Sequence, residues 1–121
     1  MTKDEILALR VSDFDDRTLD ALVSEHVMGI DPRYCTTFND PIYGDHYNGR
    51  RYSTDPSLLE TILDRMIELG WLPGMDWDDS DGGWMVVMCR HGLDREDAPQ
   101  VTSMNLKEAV CKCALLAVMG V

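Results

Sequence analysis

The stretch Tyr52-Ser-Thr-Asp-Pro-Ser-Leu-Leu-Glu-Thr-Ile-Leu-Asp-Arg-Met-Ile-Glu-Leu-Gly70 decides how the rest of the chain is read. Asp55 is placed to cap a helix, because its carboxylate accepts from the free amides of a first turn. Pro56 falls at the first helical position, where no donor is missed. Leu58, Leu59, Ile62, Leu63, Met66, Ile67 and Leu69 recur three and four apart and form one broad apolar stripe. Gly70 is a natural stop, since glycine enters the left-handed conformation without steric cost. Such a helix needs an apolar floor, and the flanking segments must supply it.

Toward the N-terminus, residues 17–28 read as a helix with Leu19, Leu22, Val23 and Val27 on one face and Gly29 as its stop. His26 lies beside that face, as a core-edge or surface histidine. Residues 1–10 read as a short helix, with Thr2 and Glu5 as a capping box and Ile6, Leu7 and Leu9 as its apolar edge. Residues 11–16 suit a connection. Between positions 30 and 52, two Asp-Pro pairs, Gly44 and Asn48-Gly49 punctuate short β-prone pieces, which predicts a loop-rich ribbon. It gathers Tyr34, Tyr43, His46, Tyr47, Arg50, Arg51 and Tyr52. Aromatics with arginines can stack on a base or grip phosphate; they equally form the exposed rim of a loop.

Toward the C-terminus, residues 71–83 read as an acidic turn between strands, with Asp76, Asp78, Asp79 and Asp81. The run resembles a calcium loop, but its register fails. Asp81 stands where the turn glycine belongs, and Val87 where the bidentate glutamate belongs. Residues 84–90 are the best strand, a near-continuous apolar run that fits a sheet covered on both faces. Residues 91–97 make a charged turn. Residues 98–104 supply a partner strand around Val101, with Pro99 marking an edge or a strand start. A last helix spans about 106–119, with Asn105 and Glu108 as its cap pair. Its packing face is Leu106, Ala109, Val110, Cys113, Ala114, Leu116 and Ala117. Lys107, Glu108 and Lys112 lie away from that face, with Glu108–Lys112 a favourable i,i+4 pair.

The order is helix, helix, ribbon, helix, strand, strand, helix. One short, mostly antiparallel sheet covered by helices is the economical α/β (α+β) arrangement of that set. At 121 residues and 13.7 kDa the chain is one domain, and its 45% hydrophobic content predicts a packed core. Residues 1–16 form an N-terminal helix and connection, and residues 17–121 the domain proper. No apolar run approaches the ~20 residues that span a bilayer, and no secretory leader opens the chain, so a cytosolic protein is expected.

Lys and Arg total 11 against 22 Asp and Glu, a formal charge of −11. Such a field does not draw nucleic-acid backbones, and a small anion would bind only in a locally basic pocket. The acidic surface otherwise serves solubility. Cys35, Cys89, Cys111 and Cys113 form no CxxC pair, and Cys111 and Cys113 point to different sides of a helix. They read as reduced, buried thiols. His26, His46 and His91 share no ligand spacing, so neither a zinc site nor a cofactor is expected.

Three stretches in order resemble the phage ABA-sandwich family: Asp20-Ala-Leu-Val-Ser-Glu-His-Val-Met-Gly29, Tyr52-Ser-Thr-Asp55, and Ala109-Val-Cys-Lys-Cys-Ala-Leu-Leu-Ala117. The resemblance covers roughly residues 17–121 and implies a helix–sheet–helix sandwich of phage or prophage origin. Some proteins of this architecture are similar to anti-Thoeris sponges, which sequester cyclic ADP-ribose-type signals and cyclic oligonucleotides, assemble as dimers or higher oligomers, and do not cleave their ligand. The resemblance implies basic side chains from the last helix and an aromatic near the sheet. Here those are Lys107, Lys112 and Trp84, with Arg90 and His91 closing the strand. Glu108 and the lack of an arginine on that helix depart from the pattern. With Arg50, Arg51 and Tyr52 from the ribbon, these residues make the candidate ligand set. An alternative is an acidic accessory protein that contacts a host protein through its carboxylates, Asp76, Asp78 and Asp79 among them, and takes no small ligand. No activated nucleophile or strong metal spacing marks an enzyme.

Overall fold

The computed structural model describes residues 1–11, 17–30, 49–80 and 82–121. Most of the expected ribbon, with Tyr34, Cys35, Tyr43, His46 and Tyr47, lies outside the described residues.

Helix α1 spans Lys3–Leu7 and carries the expected capping box: Glu5 N–H donates to Thr2 Oγ1 at 3.2 Å, and Thr2 N–H to Glu5 Oε1 at 3.0 Å. Ile6 is fully buried, so this short helix shares the core of the rest. Helix α2, Thr18–Leu22, runs directly into a π-helical turn, Val23–Val27, in which Met28 N–H reaches Val23 O at 3.0 Å. Leu19, Leu22, Val23 and Val27 are all buried, and Gly29 follows with φ 71°.

The central helix forms as its sequence dictates, with a tighter start. Asp55 accepts from Ser57 N–H at 2.9 Å, Pro56–Leu58 make one 3-10 turn, and α3 runs over Leu59–Glu68. Ile62 and Met66 are fully buried, and Leu58, Leu59, Leu63 and Leu69 pack half-buried around the core. Ile67, at the margin of the stripe, stays 53% exposed. Gly70, at φ 93°, turns the chain out of the helix.

The sheet has three antiparallel strands in the order β1 (Leu72–Asp78), β2 (Gly83–Cys89), β3 (Gln100–Ser103). Strand β1 corrects the sequence reading, which gave this segment to an acidic turn; among the described residues only 79, 80 and 82 turn. Among the described residues β1 pairs on one side only, with β2. Such an edge strand tolerates Pro73, Gly74, Asp76 and Asp78, which disguise it in the sequence.

Cover differs between the two sheet faces. Opposed residues share a face, so Val86, Met88 and Val101 lie on one side with Met75, Trp77 and Trp84. Val86, Met88 and Val101 are buried under the helices. The other side carries exposed Leu72, Asp76, Gln100 and Thr102 around half-buried Met85 and Val87. It is flanked by the 3-10 turn Arg95–Asp97, which sets Arg95 beside Gly74, Met85 and Val87. The apolar run of β2 is therefore sealed on one face and only half covered on the other.

Helix α4, Leu106–Met119, contacts β2, β3, α1, α2 with its π-helical turn, and α3. Its residues 109–117 are all buried, not only one face of them. Asn105 Oδ1 caps its start, accepting from Lys107 N–H at 3.0 Å and Glu108 N–H at 3.3 Å. The Glu108 side chain does not return to Asn105. It takes Lys112 Nζ at 2.6 Å and Ser103 Oγ at 3.2 Å instead.

One buried carboxylate ties the first half of this assembly. Asp20, 1% exposed, accepts from Arg17 Nε at 2.9 Å and from Ser53 N–H at 2.7 Å. Asp20→Ala leaves the Arg17 charge and the Ser53 amide without that acceptor and should cost about 3–5 kcal/mol; urea unfolding checks it. Asp20→Asn keeps the shape but gives up the carboxylate that faces Arg17, so the same experiment should show that it also loses stability. At Gly83 an added Cβ would lie 2.9 Å from the Ser103 carbonyl oxygen. Gly83→Ala should therefore pry β2 from β3 and lower stability by about 1–3 kcal/mol, read by the same unfolding curves.

Candidate functional site

The most promising cleft is built where β1 enters and β2 leaves the sheet. The pairing of Leu72 with Cys89 sets the next residues out, Trp71 and Arg90, side by side. The Arg90 guanidinium carbon lies 4.9 Å from the centre of the Trp71 ring. Trp71 is 8% exposed, so its ring forms a fixed wall, while Arg90 reaches outward from the strand end. His26 on the π-helical turn, Leu69 at the end of α3, and Ala117 and Val118 on α4 complete a cleft of about 320 Å³.

The chemistry of this cleft is mixed. Arg90 brings five N–H donors in a planar fork, suited to an oxyanion and to stacking on a ring. His26 adds an imidazole, 3.6 Å from Glu25 Oε2, that carries charge only when protonated. Leu69, Ala117 and Val118 give an apolar floor. A cleft with this lining can hold a small planar or anionic group, and its volume is at the low end of the roughly 300–1000 Å³ usual for small-ligand sites.

The sequence-derived ligand set does not converge here. Arg90 lines the cleft, and His91 beside it is exposed but does not. Trp84 sits six residues earlier along β2, about 20 Å away in an extended strand. There it stacks edge-on with Trp77, ring centres 5.5 Å apart. Lys107 lies at the same far end, in the first turn of α4. Arg50 and Arg51 are exposed ahead of Tyr52 and do not line the cleft.

Two members of that set are corrected outright. Tyr52 is 1% exposed inside the hydrophobic core, so its ring has no face left for a ligand. Lys112 is 4% exposed and is engaged by Glu108 and by the Leu7 carbonyl at 2.8 Å. It neutralises a carboxylate and ties α1 to α4. Lys112 and Glu108 also line a second cleft, of about 270 Å³, with Leu7 and the β3 residues 100–103.

Sequence reasoning missed Trp71 and the placing of His26. Trp71 directly follows the helix stop, and only the strand pairing of 72–78 brings it against Arg90. The Asp81-Gly82 pair between two tryptophan-bearing segments was the available signal, since Asp-Gly favours a hairpin turn.

The thiols on α4 are not activated. Burial pushes Cys113 up to about 12, with the Met88 and Val101 backbone pulling the other way. Burial likewise raises Cys111, aided by the Asp20 and Glu108 carboxylates. Among the described residues Cys89, Cys111 and Cys113 are free, and no group of three or more His, Cys, Asp or Glu is placed to hold a metal ion. No helix among them is long and apolar enough to cross a membrane.

No protein family and no curated relative matches the chain. Its fold is similar to that of a phage protein from Bacillus cereus ATCC 14579, known from a 2.0 Å crystal structure. The two align with a TM-score of 0.63 and 16% identity over 90% of this chain and 97% of the other. At that identity the likeness is one of fold. Iodoacetamide at neutral pH should alkylate half-buried Cys89 before Cys111 and Cys113, with the latter two reacting only on unfolding; peptide mass mapping reads the order.

Proposed function

We propose that this chain is a non-enzymatic binding protein of phage type. Its Trp71–Arg90–His26 cleft would hold a small anionic nucleotide of the cyclic ADP-ribose or cyclic oligonucleotide class, withdrawing a host defence signal. The observation that carries this reading is Arg90 held 4.9 Å over the Trp71 ring in an otherwise acidic molecule. The indole holds the exposed guanidinium in place, and the guanidinium offers a phosphate its donors and a base its planar outer side. The likeness in fold to a phage protein supports the setting.

The site is less basic than the sequence suggested, because Lys112 is spent on Glu108. A ligand with two phosphates would then be closed over by a second copy of the chain, which makes a homo-oligomer part of the proposal. The cleft brings no poised thiolate and no carboxylate pair to the ligand, so the bound molecule is expected to leave unchanged.

Isothermal titration with cyclic ADP-ribose isomers and with cyclic di- and trinucleotides tests the reading. Micromolar binding is expected for at least one, with Arg90→Ala weakening it about tenfold or more through the lost charge-assisted bonds. Ligand recovered after denaturation should be intact. Absence of heat for all of them removes the proposal.

A further inference from the structure

The exposed edge of β1 has features that the nucleotide reading does not use. Met88 N–H points to β3, bonding Pro99 O at 3.0 Å. Backbone groups alternate sides along a strand, so residues 83, 85, 87 and 89 turn theirs toward β1. Their partners there are residues 78, 76, 74 and 72. The N–H and C=O of Met75 and Trp77, and the C=O of Pro73, are thereby left at the outer edge, with no strand beside them among the described residues.

The side chains around this edge are apolar on one face, and on the other they set the exposed Asp76 carboxylate with Arg95 at the border of the groove. Met75 is 43% and Trp77 44% exposed on the helix-side face, although both are large hydrophobic residues. The Trp77 indole is fixed by Trp84 and by its N–H, which donates to Asp79 at 2.6 Å. On the opposite face Gly74 leaves a shallow groove of about 210 Å³ over Met85 and Val87. Asp76 is the anion lining that groove and Arg95 the cation.

We propose that the β1 edge is a docking strip for an extended segment of a basic partner polypeptide, in which Lys or Arg alternates with aliphatic residues. The segment adds a fourth strand. Its backbone meets the outer groups of Met75 and Trp77, its aliphatic side chains lie on those two side chains, and its cations fall on the Asp76 face. Charge selects this occupant over a second copy of the chain. Self-pairing of β1 about Met75 would set two Asp76 carboxylates diagonally, about 7–8 Å apart. That separation is inside the roughly 10 Å screening length at 0.1 M salt.

The test uses the full chain and a blocked synthetic peptide of about seven residues in which lysine alternates with valine, long enough for one strand. Controls are the same residues in two blocks and the glutamate–valine version. Fluorescence anisotropy should show binding of the alternating lysine peptide alone, weakening as salt rises to about 0.5 M. Met75→Pro removes an outward N–H together with the Met75 side chain and should weaken binding about fivefold to tenfold. Asp76→Lys should weaken it further. Trp77→Ala and Asp76→Lys leave the backbone unchanged and carry the test if the proline variant fails to fold. No binding, equal binding of the blocked-order peptide, or affinity indifferent to these variants overturns the proposal. So does a concentration-dependent dimer abolished by Asp76→Arg or Trp77→Ala, which would make a second copy the occupant.

Discussion

The buried Asp20 carboxylate is the constraint around which the N-terminal half closes. It lies on α2, yet one of its oxygens accepts the backbone N–H of Ser53, 33 residues later. The other is held by Arg17 at 2.9 Å. A buried charge in this position is tolerable only while both partners stay in place. The entry to the central helix is thereby fixed against α2 before any apolar side chain is considered. Tyr52, next to Ser53, is carried into the core by the same geometry, which is why a residue that reads as a ligand platform is a packing residue.

A second constraint follows from α4. A helix buried all round must satisfy any charge it carries internally. Lys112 does so with Glu108 and the Leu7 carbonyl, and Glu108 with Lys112 and Ser103. The i,i+4 pair was legible in the sequence, but its burial was not. Spacing reports which residues are neighbours on a helix; it does not report that α1 will lie across the polar side. The same burial keeps the α4 thiols protonated, and it leaves the helix's last turn, Ala117 and Val118, as floor for the Arg90 cleft rather than as a source of cations.

Where local chemistry determines structure, the sequence was a good guide. The Thr2–Glu5 box, the Asp55-Pro56 start, the stops at Gly29 and Gly70, the Asn105 cap and the apolar residues of α2 all appear as their residue types require. The α+β arrangement with helices flanking an antiparallel sheet follows from them. The failures came from pairing. Leu72–Asp78 has neither continuous hydrophobicity nor clean alternation, because an edge strand with one open side is not required to have either. Without β1 there is no register, and without the register nothing sets Trp71 beside Arg90. The candidate ligand set was accordingly spread over both ends of β2 instead of gathered at one.

The residues that hid β1 also divide the surface into two electrostatic regions. Pro73 and Gly74 keep the first half of the strand from being a bulky apolar ladder, and Asp76 and Asp78 place negative charge along the second half. The hairpin then returns so that its open end carries Arg90 against Trp71, while its closed end carries Trp77 against Trp84. An overall charge of −11 thus coexists with a cationic corner, because antiparallel pairing separates the two ends of one strand by its whole length. A molecule approaching the corner meets a guanidinium on an indole; one approaching the edge meets backbone donors, two exposed apolar side chains and a carboxylate. The global charge predicts only the second encounter, and it is the register of β1 on β2 that creates the first.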